Sequence, residues 1–255
     1  MHVIASLTTI SRRLAELPRV LRSIIGQTIP PDEVRIYVSK EPHLLDDGVP
    51  SLPVEVQRML SERVTAHWVP NIGPYRKLLP VLSEFWGRDV VIITFDDDVV
   101  YNRRMLERLL WRYTEYRCVV SAKARVCLLD EEGKLRPYQE LPFVLNREAM
   151  GMNLIPIGNG GVLYHPKFFT HRVFGHEAFE TCPTNDDLWF RLNTMLTGTP
   201  VFTLGKAFKP FVQQEVLFET NRVNNNSMFQ AGAAALCIDL TAIEGAGTNG
   251  NAQAP

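Results

Sequence analysis

The sequence predicts an α/β fold in which a mixed, mostly parallel central sheet of Rossmann type is flanked by helices. First, strand-like and helical patterns alternate along the first half of the chain, as they do where helices connect parallel strands. Second, residues 90–95 form a continuous apolar run, which is typical of a strand buried on both faces. Third, Asp96-Asp97-Asp98 follow this run directly, and open α/β sheets place their ligands at the carboxyl ends of strands.

The elements of the first half follow one another at the spacing of βα units. Strands are predicted near residues 2–7, 34–39, 64–69, 90–95 and 118–122. Helices are predicted near residues 16–26, 53–63 and 75–86. A further helix through Tyr116 follows Asn102, which is a residue type that caps helices and precedes a one-sided apolar pattern.

The second half has a weaker pattern. Residues 123–157 contain charged turns and prolines without a clear period, and we interpret them as an insertion or as a second half built on the same sheet. A glycine-rich turn precedes a short strand at residues 162–166, and a helix is predicted over residues 184–196. We therefore divide one domain into a first half, 1–122, and a second half, 123–243. Residues 244–255 lack core formers and are predicted to be a disordered tail.

The composition indicates an ordinary globular protein. The 255 residues are 45% hydrophobic and 22% charged, with a net charge of −1, so nothing in the total points to nucleic acid. No apolar run approaches the ~20 residues that span a bilayer, and the N-terminus lacks the basic start of a signal peptide. The four cysteines are scattered, which indicates neither a zinc site nor a disulfide framework. We expect a cytoplasmic location.

The acidic triplet is the first candidate site. Three adjacent carboxylates repel one another, and hard divalent ions such as Mg²⁺ and Mn²⁺ prefer carboxylate oxygens. Alternation along an extended segment predicts Asp96 and Asp98 on one side and Asp97 on the other. The pair is therefore predicted to bind one metal ion. The alternative is a solvated acidic turn.

Two further segments are candidates for binding a nucleotide. Gly73 and Pro74 set a turn that opens a helix, so Arg76 and Lys77 are predicted in its first turn. Cations there oppose the helix dipole, and an anionic ligand would explain them; the alternative is a solvated basic turn. The hydroxyls of residues 6–9, at the end of the first strand, could hold a base or ribose, or form a simple turn.

Two motifs of the second half complete the candidate site. Gly160 and Gly161 allow a ligand to approach the backbone closely, or they form a plain hairpin turn. In Asn185-Asp186-Asp187 one residue is enough to cap the following helix, which leaves a spare carboxylate. A carboxylate at a rigid helix start is suited to act as a general base.

Two polar segments remain open. The amide-rich residues 221–226 are predicted to be either a lid over phosphates or an exposed loop. Four arginines on one helix are typical of a solvated face, and a peripheral contact with the inner face of a membrane is the alternative. They are Arg103, Arg104, Arg108 and Arg112.

Taken in order, these motifs resemble those of inverting glycosyltransferases of the GT-A fold, in the style of family 2, over residues 1–230. The motifs are Ser6-Leu7-Thr8-Thr9, Asn71-x-Gly73-Pro74-x-x-Lys77, Asp96-Asp97-Asp98, Gly160-Gly161-Val162-Leu163-Tyr164 and Thr184-Asn185-Asp186-Asp187-x-Trp189. The resemblance implies a hexosyltransferase of polysaccharide biosynthesis that uses a nucleotide-sugar donor, with a UDP-sugar favoured. It also implies a manganese or magnesium cofactor and a glycan or lipid-linked glycan acceptor.

The resemblance also implies that residues 1–122 are the nucleotide-sugar-binding half and that residues 123–243 are the half that binds the acceptor and carries the catalytic base. It implies roles for individual residues as well. Asp96 and Asp98 match the metal-binding Asp-x-Asp motif. Asp187 matches the catalytic base, with Asp186 beside it. The positions matched to donor binding are Thr8, Asn71, Lys77, Asp96, Asp97, Gly160 and Gly161. Asn185 departs from the residue that many relatives have before the acidic pair, which leaves the choice between Asp186 and Asp187 open.

Two other functions are alternatives. A strand that ends in Asp-x-Asp also resembles the first motif of haloacid-dehalogenase-like phosphatases, in which Asp96 would be the nucleophile and Asp98 the acid. That family's last acidic pair follows a hydrophobic strand, whereas Cys182-Pro183-Thr184-Asn185 precedes the pair here. A non-catalytic module that binds nucleotide-sugars is the third possibility.

Overall fold

The structure is a computed structural model that describes residues 1–132, 134–205 and 225–244. Within these residues the strands are β1 His2–Thr8, β2 Glu33–Val38, β3 Val64–Trp68, β4 Val90–Phe95, β5 Val119–Ser121, β6 Ala124–Val126, β7 Ala149–Gly151, β8 Leu154–Pro156, β9 Val162–Tyr164 and β10 Val201–Thr203. The α-helices are α1 Leu17–Ile25, α2 Val54–Gln57, α3 Leu79–Glu84, α4 Met105–Tyr116, α5 Glu177–Thr181, α6 Asp186–Leu196, α7 Asn225–Ala235 and α8 Thr241–Glu244.

One mixed sheet organises the molecule. Its strand order is β3-β2-β1-β4-β9-β5-β10-β7, and a separate ribbon pairs β6 with β8. Strands β3, β2, β1 and β4 run parallel to one another, whereas β9 runs antiparallel to both β4 and β5. The predicted fold class is confirmed. Strands from residues 1–122 and from residues 123–205 share this sheet, while the boundary at residue 122 stays a prediction.

The central strands are hydrophobic because helices cover both faces of the sheet. Every residue of β4 is buried, as are Val3 to Leu7 of β1, which is the burial that a continuous apolar run predicts. In the register of the two strands Leu7 lies opposite Phe95, so both strands end at the same edge. The chain leaves β1 for β2 on one side, whereas β4 lies on its other side. A ligand crevice is expected at such a switch point.

Several helices are shorter than the sequence pattern predicts. The helix predicted near residues 75–86 is divided into a 3₁₀ helix, Gly73–Lys77, and α3. Pro80 accounts for the division, because it has no N–H to continue a helix and is tolerated in a first turn. Asn102 does not cap α4, which starts at Met105; its side chain accepts a hydrogen bond from the Arg104 N–H at 3.0 Å.

Other predictions have mixed outcomes. None of the four cysteines forms a disulfide. Among the residues that the structure describes, no helix combines the length and apolar character needed to cross a membrane. The predicted tail, apart from the end of α8 at Glu244, and residues 221–224 of the predicted lid lie outside the described residues. Asn225 and Asn226 begin α7.

The close packing of Gly48, in the loop that follows β2, can be tested by substitution. Its φ is +90°, and a Cβ atom there would lie 2.3 Å from the carbonyl oxygen of Lys40. At Gly87, by contrast, φ is +75° and a Cβ atom would meet nothing within 4 Å. Gly87→Ala should therefore lower the free energy of unfolding by ~1 kcal/mol, from backbone strain alone.

Gly48→Ala should lower the free energy of unfolding by roughly 3 kcal/mol, because the clash with the Lys40 carbonyl adds to the backbone strain. Chemical denaturation of the two variants beside the parent protein measures the difference. Equal losses in both variants would contradict the clash.

Candidate active site

A cleft of ≈ 280 Å³ opens at the carboxyl ends of β1 and β4, opposite the start of α6. Its lining combines the acidic triplet, the acidic pair of α6 and several basic side chains. The lining residues are Thr8, Thr9, Ile10, Arg13, His43, Leu44, Leu45, Asp46, Gly73, Pro74, Arg76, Lys77, Asp96, Asp97, Asp98, Tyr138, Ile157, Asn159, Thr184, Asn185, Asp186, Asp187 and Asn225.

The acidic triplet turns instead of continuing the strand. Asp97 accepts hydrogen bonds from Thr9 Oγ1 at 2.7 Å and from Arg13 Nη1 at 2.6 Å. Asp98 Oδ2 lies 3.4 Å from Arg13 Nη2. Asp97 and Asp98 therefore face the same guanidinium. The prediction that alternation separates Asp97 from the other two is wrong, because the extended backbone ends at Phe95.

Asp98 has the surroundings of a cation ligand. Only 2% of the residue is exposed, and burial, with the charge of Asp96 added, raises the pKa of its carboxyl group to about 7. Its Oδ1 atom is buried without a hydrogen-bond partner among the described residues. A hard divalent cation fits this oxygen and the neighbouring Asp96. The described residues hold no group of three or more His, Cys, Asp or Glu side chains arranged for a metal ion.

Lys77 joins the two acidic motifs. Its Nζ atom lies 2.9 Å from Asp96 Oδ1, 3.1 Å from Asp186 Oδ2 and 3.8 Å from Asp187 Oδ1. Burial disfavours its charge, but the three carboxylates outweigh burial and hold the pKa of Lys77 well above its ordinary value. Lys77 ends a 3₁₀ helix, where a cation suits the dipole. The helix-dipole argument for an anionic ligand is therefore wrong, and a contact between Lys77 and the donor stays a prediction.

Arg76 and Asn71 hold the loop that follows β2. Arg76 is buried, and its Nη2 donates to Asp46 Oδ2 at 2.9 Å. Asn71 is not among the lining residues. Its amide donates to the Glu41 carbonyl at 2.7 Å and to Asp46 at 3.3 Å. Asn71 therefore stabilises the loop that carries Asp46 and does not line the cleft itself.

The start of α6 presents two carboxylates of different exposure. Asn185 caps the helix, since its side chain accepts from the Leu188 N–H at 3.4 Å. The Asp186 side chain is 7% exposed and that of Asp187 is 17% exposed. Burial raises the pKa of Asp186 to about 7 and also raises that of Asp187. Asp187 Oδ2 accepts from the Gly158 N–H at 2.7 Å, which fixes its direction.

Gly158 packs closely against two charged side chains of the site. A Cβ atom at Gly158 would lie 2.7 Å from Asp187 Oδ1 and 2.9 Å from Lys77 Nζ. Gly158, Gly160 and Gly161 are not among the lining residues. Gly161 has φ +84°, and a Cβ atom there would contact the Phe95 ring. Donor binding by Gly160 and Gly161 stays a prediction.

Several lining residues had no assignment from sequence. Thr8 lines the cleft as predicted, although its hydroxyl donates to the Tyr37 carbonyl at 2.8 Å. Thr9 belongs to the same motif and holds Asp97. Arg13 ends a short 3₁₀ helix, Ser11–Arg13, and Asp46 lies in a loop, with no period or motif to mark either residue. His43 and Tyr138 also had no assignment. Asn159, Thr184 and Asn225 belong to segments that the sequence singled out, but they had no roles of their own.

Comparisons with known proteins show the fold. No protein-family model matches the sequence, and no curated protein matches it. The structure resembles that of S. aureus TarS 1–349 in complex with UDP, with 14% identity and a TM-score of 0.55 over 92% of this chain and 65% of that chain. It also resembles 4-diphosphocytidyl-2C-methyl-D-erythritol synthase, with 12% identity and a TM-score of 0.53 over 86% of this chain and 97% of that chain.

A third similar structure is the Francisella tularensis 2-C-methyl-D-erythritol 4-phosphate cytidylyltransferase, with 8% identity and a TM-score of 0.51 over 87% of this chain and 99% of that chain. The chain spans just under two thirds of the TarS chain. These likenesses define the class: the protein has a GT-A-like fold, of the kind that a UDP-bound protein and a cytidylyltransferase share.

Asp98 makes stability depend on pH in a predictable direction. Its pKa is about 7 in the folded protein and about 3.9 in an unfolded chain, so the folded state binds more protons between these values. Its contribution to the free energy of unfolding is therefore present at low pH and lost as pH rises toward 7. Without divalent cations, Asp98→Asn should reduce this loss and should be more stable than the parent at pH 7.5 by roughly 2 kcal/mol.

Urea denaturation between pH 4.5 and 7.5 measures the effect. The matched control is Asp47→Asn, whose side chain is 72% exposed in the parent and whose removal should leave the pH dependence unchanged. An Asp98→Asn protein with the parent's pH dependence would show that the carboxyl group titrates normally.

Proposed function

We propose that this protein is a glycosyltransferase that moves a sugar from a nucleotide-sugar, with UDP-sugars favoured, to a hydroxyl group of a glycan or lipid-linked glycan. The reaction would be a metal-assisted single displacement that inverts the anomeric carbon. One observation carries the proposal: one cleft contains both the acidic triplet after β4 and the acidic pair of α6, joined by Lys77. The fold shared with UDP-bound TarS supports binding of a nucleotide-sugar donor.

Asp96 and Asp98 would hold the divalent cation with the donor diphosphate. The buried, unpartnered Oδ1 of Asp98 supports this assignment. When bound, Mn²⁺ or Mg²⁺ would neutralise the charge that develops on the leaving nucleoside diphosphate. Arg13 and Thr9 hold Asp97 on the same side of the cleft, so they keep the turn in place.

Asp187 is the better candidate for the general base. Its side chain is more exposed than that of Asp186, which is closer to Lys77. The Gly158 N–H fixes one of its oxygens, and the rigid start of α6 fixes its backbone. Its raised pKa makes it a stronger base than an ordinary carboxylate. Asp187 would take the proton of the acceptor hydroxyl as that oxygen attacks the anomeric carbon, and the leaving diphosphate would depart on the opposite side.

Nucleotidyl transfer is the second candidate. The likeness to the two cytidylyl-type proteins favours it, because each matches over nearly its full length. The two reactions differ in their products: glycosyl transfer from a UDP-sugar releases UDP, whereas nucleotidyl transfer releases pyrophosphate from CTP or UTP. The phosphatase alternative is disfavoured, since the later acidic pair begins α6 after α5 and follows no strand.

Binding of UDP should depend on a divalent cation. At a UDP concentration of about 100 Kd, the free energy of unfolding should rise by ~2.7 kcal/mol with Mn²⁺ and little in chelator. Thermal-shift measurements test this, with Asp98→Asn expected to lose the Mn²⁺-dependent rise and Asp47→Asn to keep it. Release of UDP, without pyrophosphate, would assign the reaction class. An equal rise in chelator would remove the metal from the proposal.

Asp187→Asn should lower kcat by ~10²–10⁴-fold, because an amide cannot take the acceptor proton. UDP binding should survive in this variant. Asp186→Asn should have a smaller effect, and Asp89→Asn, whose parent side chain is 90% exposed, should have none. Steady-state kinetics of UDP release checks the ranking. A near-normal kcat for Asp187→Asn would exclude it as the base, and NMR showing a retained anomeric configuration would exclude single displacement.

A further inference from the structure

The side chains that line the cleft differ in charge from one part of the cleft to another. Near β1 and β4 the wall carries charged side chains, among them Arg13, Asp46 and Arg76. Another part of the wall, beside Asp186 and Asp187, is formed by uncharged side chains, three of which are amides. We call this part the amide wall, and it consists of Tyr138, Ile157, Asn159, Thr184, Asn185 and Asn225.

The amide wall is held in place by its own hydrogen bonds. Asn185 Nδ2 donates to Asn225 Oδ1 at 3.2 Å, while its Oδ1 caps α6. The next residue of α7, Asn226, accepts from the Tyr138 N–H and donates to the Arg136 carbonyl at 2.6 Å. The start of α7 is therefore tied to the segment of Tyr138. Side chains that are ordered before a ligand arrives lose little entropy when they bind it.

Asn159 is an exception within this wall. It lines the cleft, yet its Oδ1 atom is buried and has no hydrogen-bond partner among the residues that the structure describes. A buried acceptor without a donor is unfavourable. A ligand that brings a hydrogen-bond donor to this oxygen would remove that penalty.

The charges nearby select the kind of ligand. Among the residues that the structure describes, Lys77 is the one cation that pairs with the carboxylates of Asp96, Asp186 and Asp187, so this end of the cleft carries negative charge. An ionised phosphate would bring further negative charge and no good donor for Asn159. Sugar hydroxyls are neutral, and each both donates and accepts, as the amide groups do.

We propose that the amide wall binds an uncharged sugar ring of the acceptor, with Asn159 Oδ1 accepting from one of its hydroxyls. This inference rests on the proposed function, since it assigns the acceptor to the side of the cleft on which Asp187 lies. It specifies that the acceptor is neutral where it contacts the protein. A phosphorylated ring would be excluded at this position.

Saturation-transfer NMR on the full chain tests the proposal directly. The probes are methyl glucoside, methyl galactoside and methyl N-acetylglucosaminide, with glucose 6-phosphate as the anionic counterpart. The parent protein should saturate at least one methyl glycoside and should not bind glucose 6-phosphate more tightly. Asn159→Ala should weaken glycoside binding about tenfold, as expected for one lost hydrogen bond to a ligand. Asn102→Ala, an exposed asparagine outside the cleft, is the matched control and should bind as the parent does.

Thermal unfolding separates a ligand contact from a structural role. Asn159→Ala should melt at or above the temperature of the parent, because the substitution removes an unpartnered buried oxygen. A lower melting temperature, unchanged glycoside binding, tighter binding of glucose 6-phosphate or no glycoside binding by the parent would each overturn the inference. UDP binding is measured on the same samples. Glycoside binding without UDP binding would defeat the proposed function alone, and the reverse result would defeat this inference alone.

Discussion

The arrangement of the cleft depends on the ion pairs that the ammonium group of Lys77 forms. It contacts carboxylates from the end of β4 and from the start of α6, which lie about 90 residues apart in the chain. Without a cation between them these carboxylates would repel one another in a buried setting, where charge interactions are strong. Gly158 has no side chain at the point where one would displace Lys77 or Asp187. The 3₁₀ helix that carries Lys77 exists as a separate element because Pro80 interrupts the longer helix.

The sequence was most informative where one local pattern decides the structure. The run of Val90–Phe95 predicts β4 with its observed bounds, since its short length and its β-branched residues favour a buried strand over a helix. Patterns failed where the backbone changes direction. The alternation argument assumed that the strand continues to Asp98, whereas a turn follows Phe95. The helix near residues 75–86 was predicted from its apolar pattern, and the effect of Pro80 on hydrogen bonding was not weighed.

Sequence patterns did not identify the site residues that lie in irregular segments. Arg13 reaches the cleft from a short 3₁₀ helix after β1 and Asp46 from the loop after β2, and their roles depend on partners distant in the chain. Buried ion pairs of this kind have no periodicity. The fold itself also leaves the chemistry open, because one architecture serves a UDP-bound protein and a cytidylyltransferase. The choice between them depends on individual side chains such as Asp187, whose position at a helix start is fixed by the Asn185 cap.

The guanidinium of Arg13, which contacts both Asp97 and Asp98, has a consequence for how ligands enter. Together with Lys77 it supplies the cleft with counter-ions that belong to the chain itself. If the protein binds a metal ion together with a nucleotide diphosphate, as proposed, the two would bring nearly balanced charge and would exchange places among existing ion pairs. Binding of such a nearly neutral pair gains little from long-range attraction. Its association rate should therefore change little with ionic strength, unlike that of a ligand steered by an exposed field.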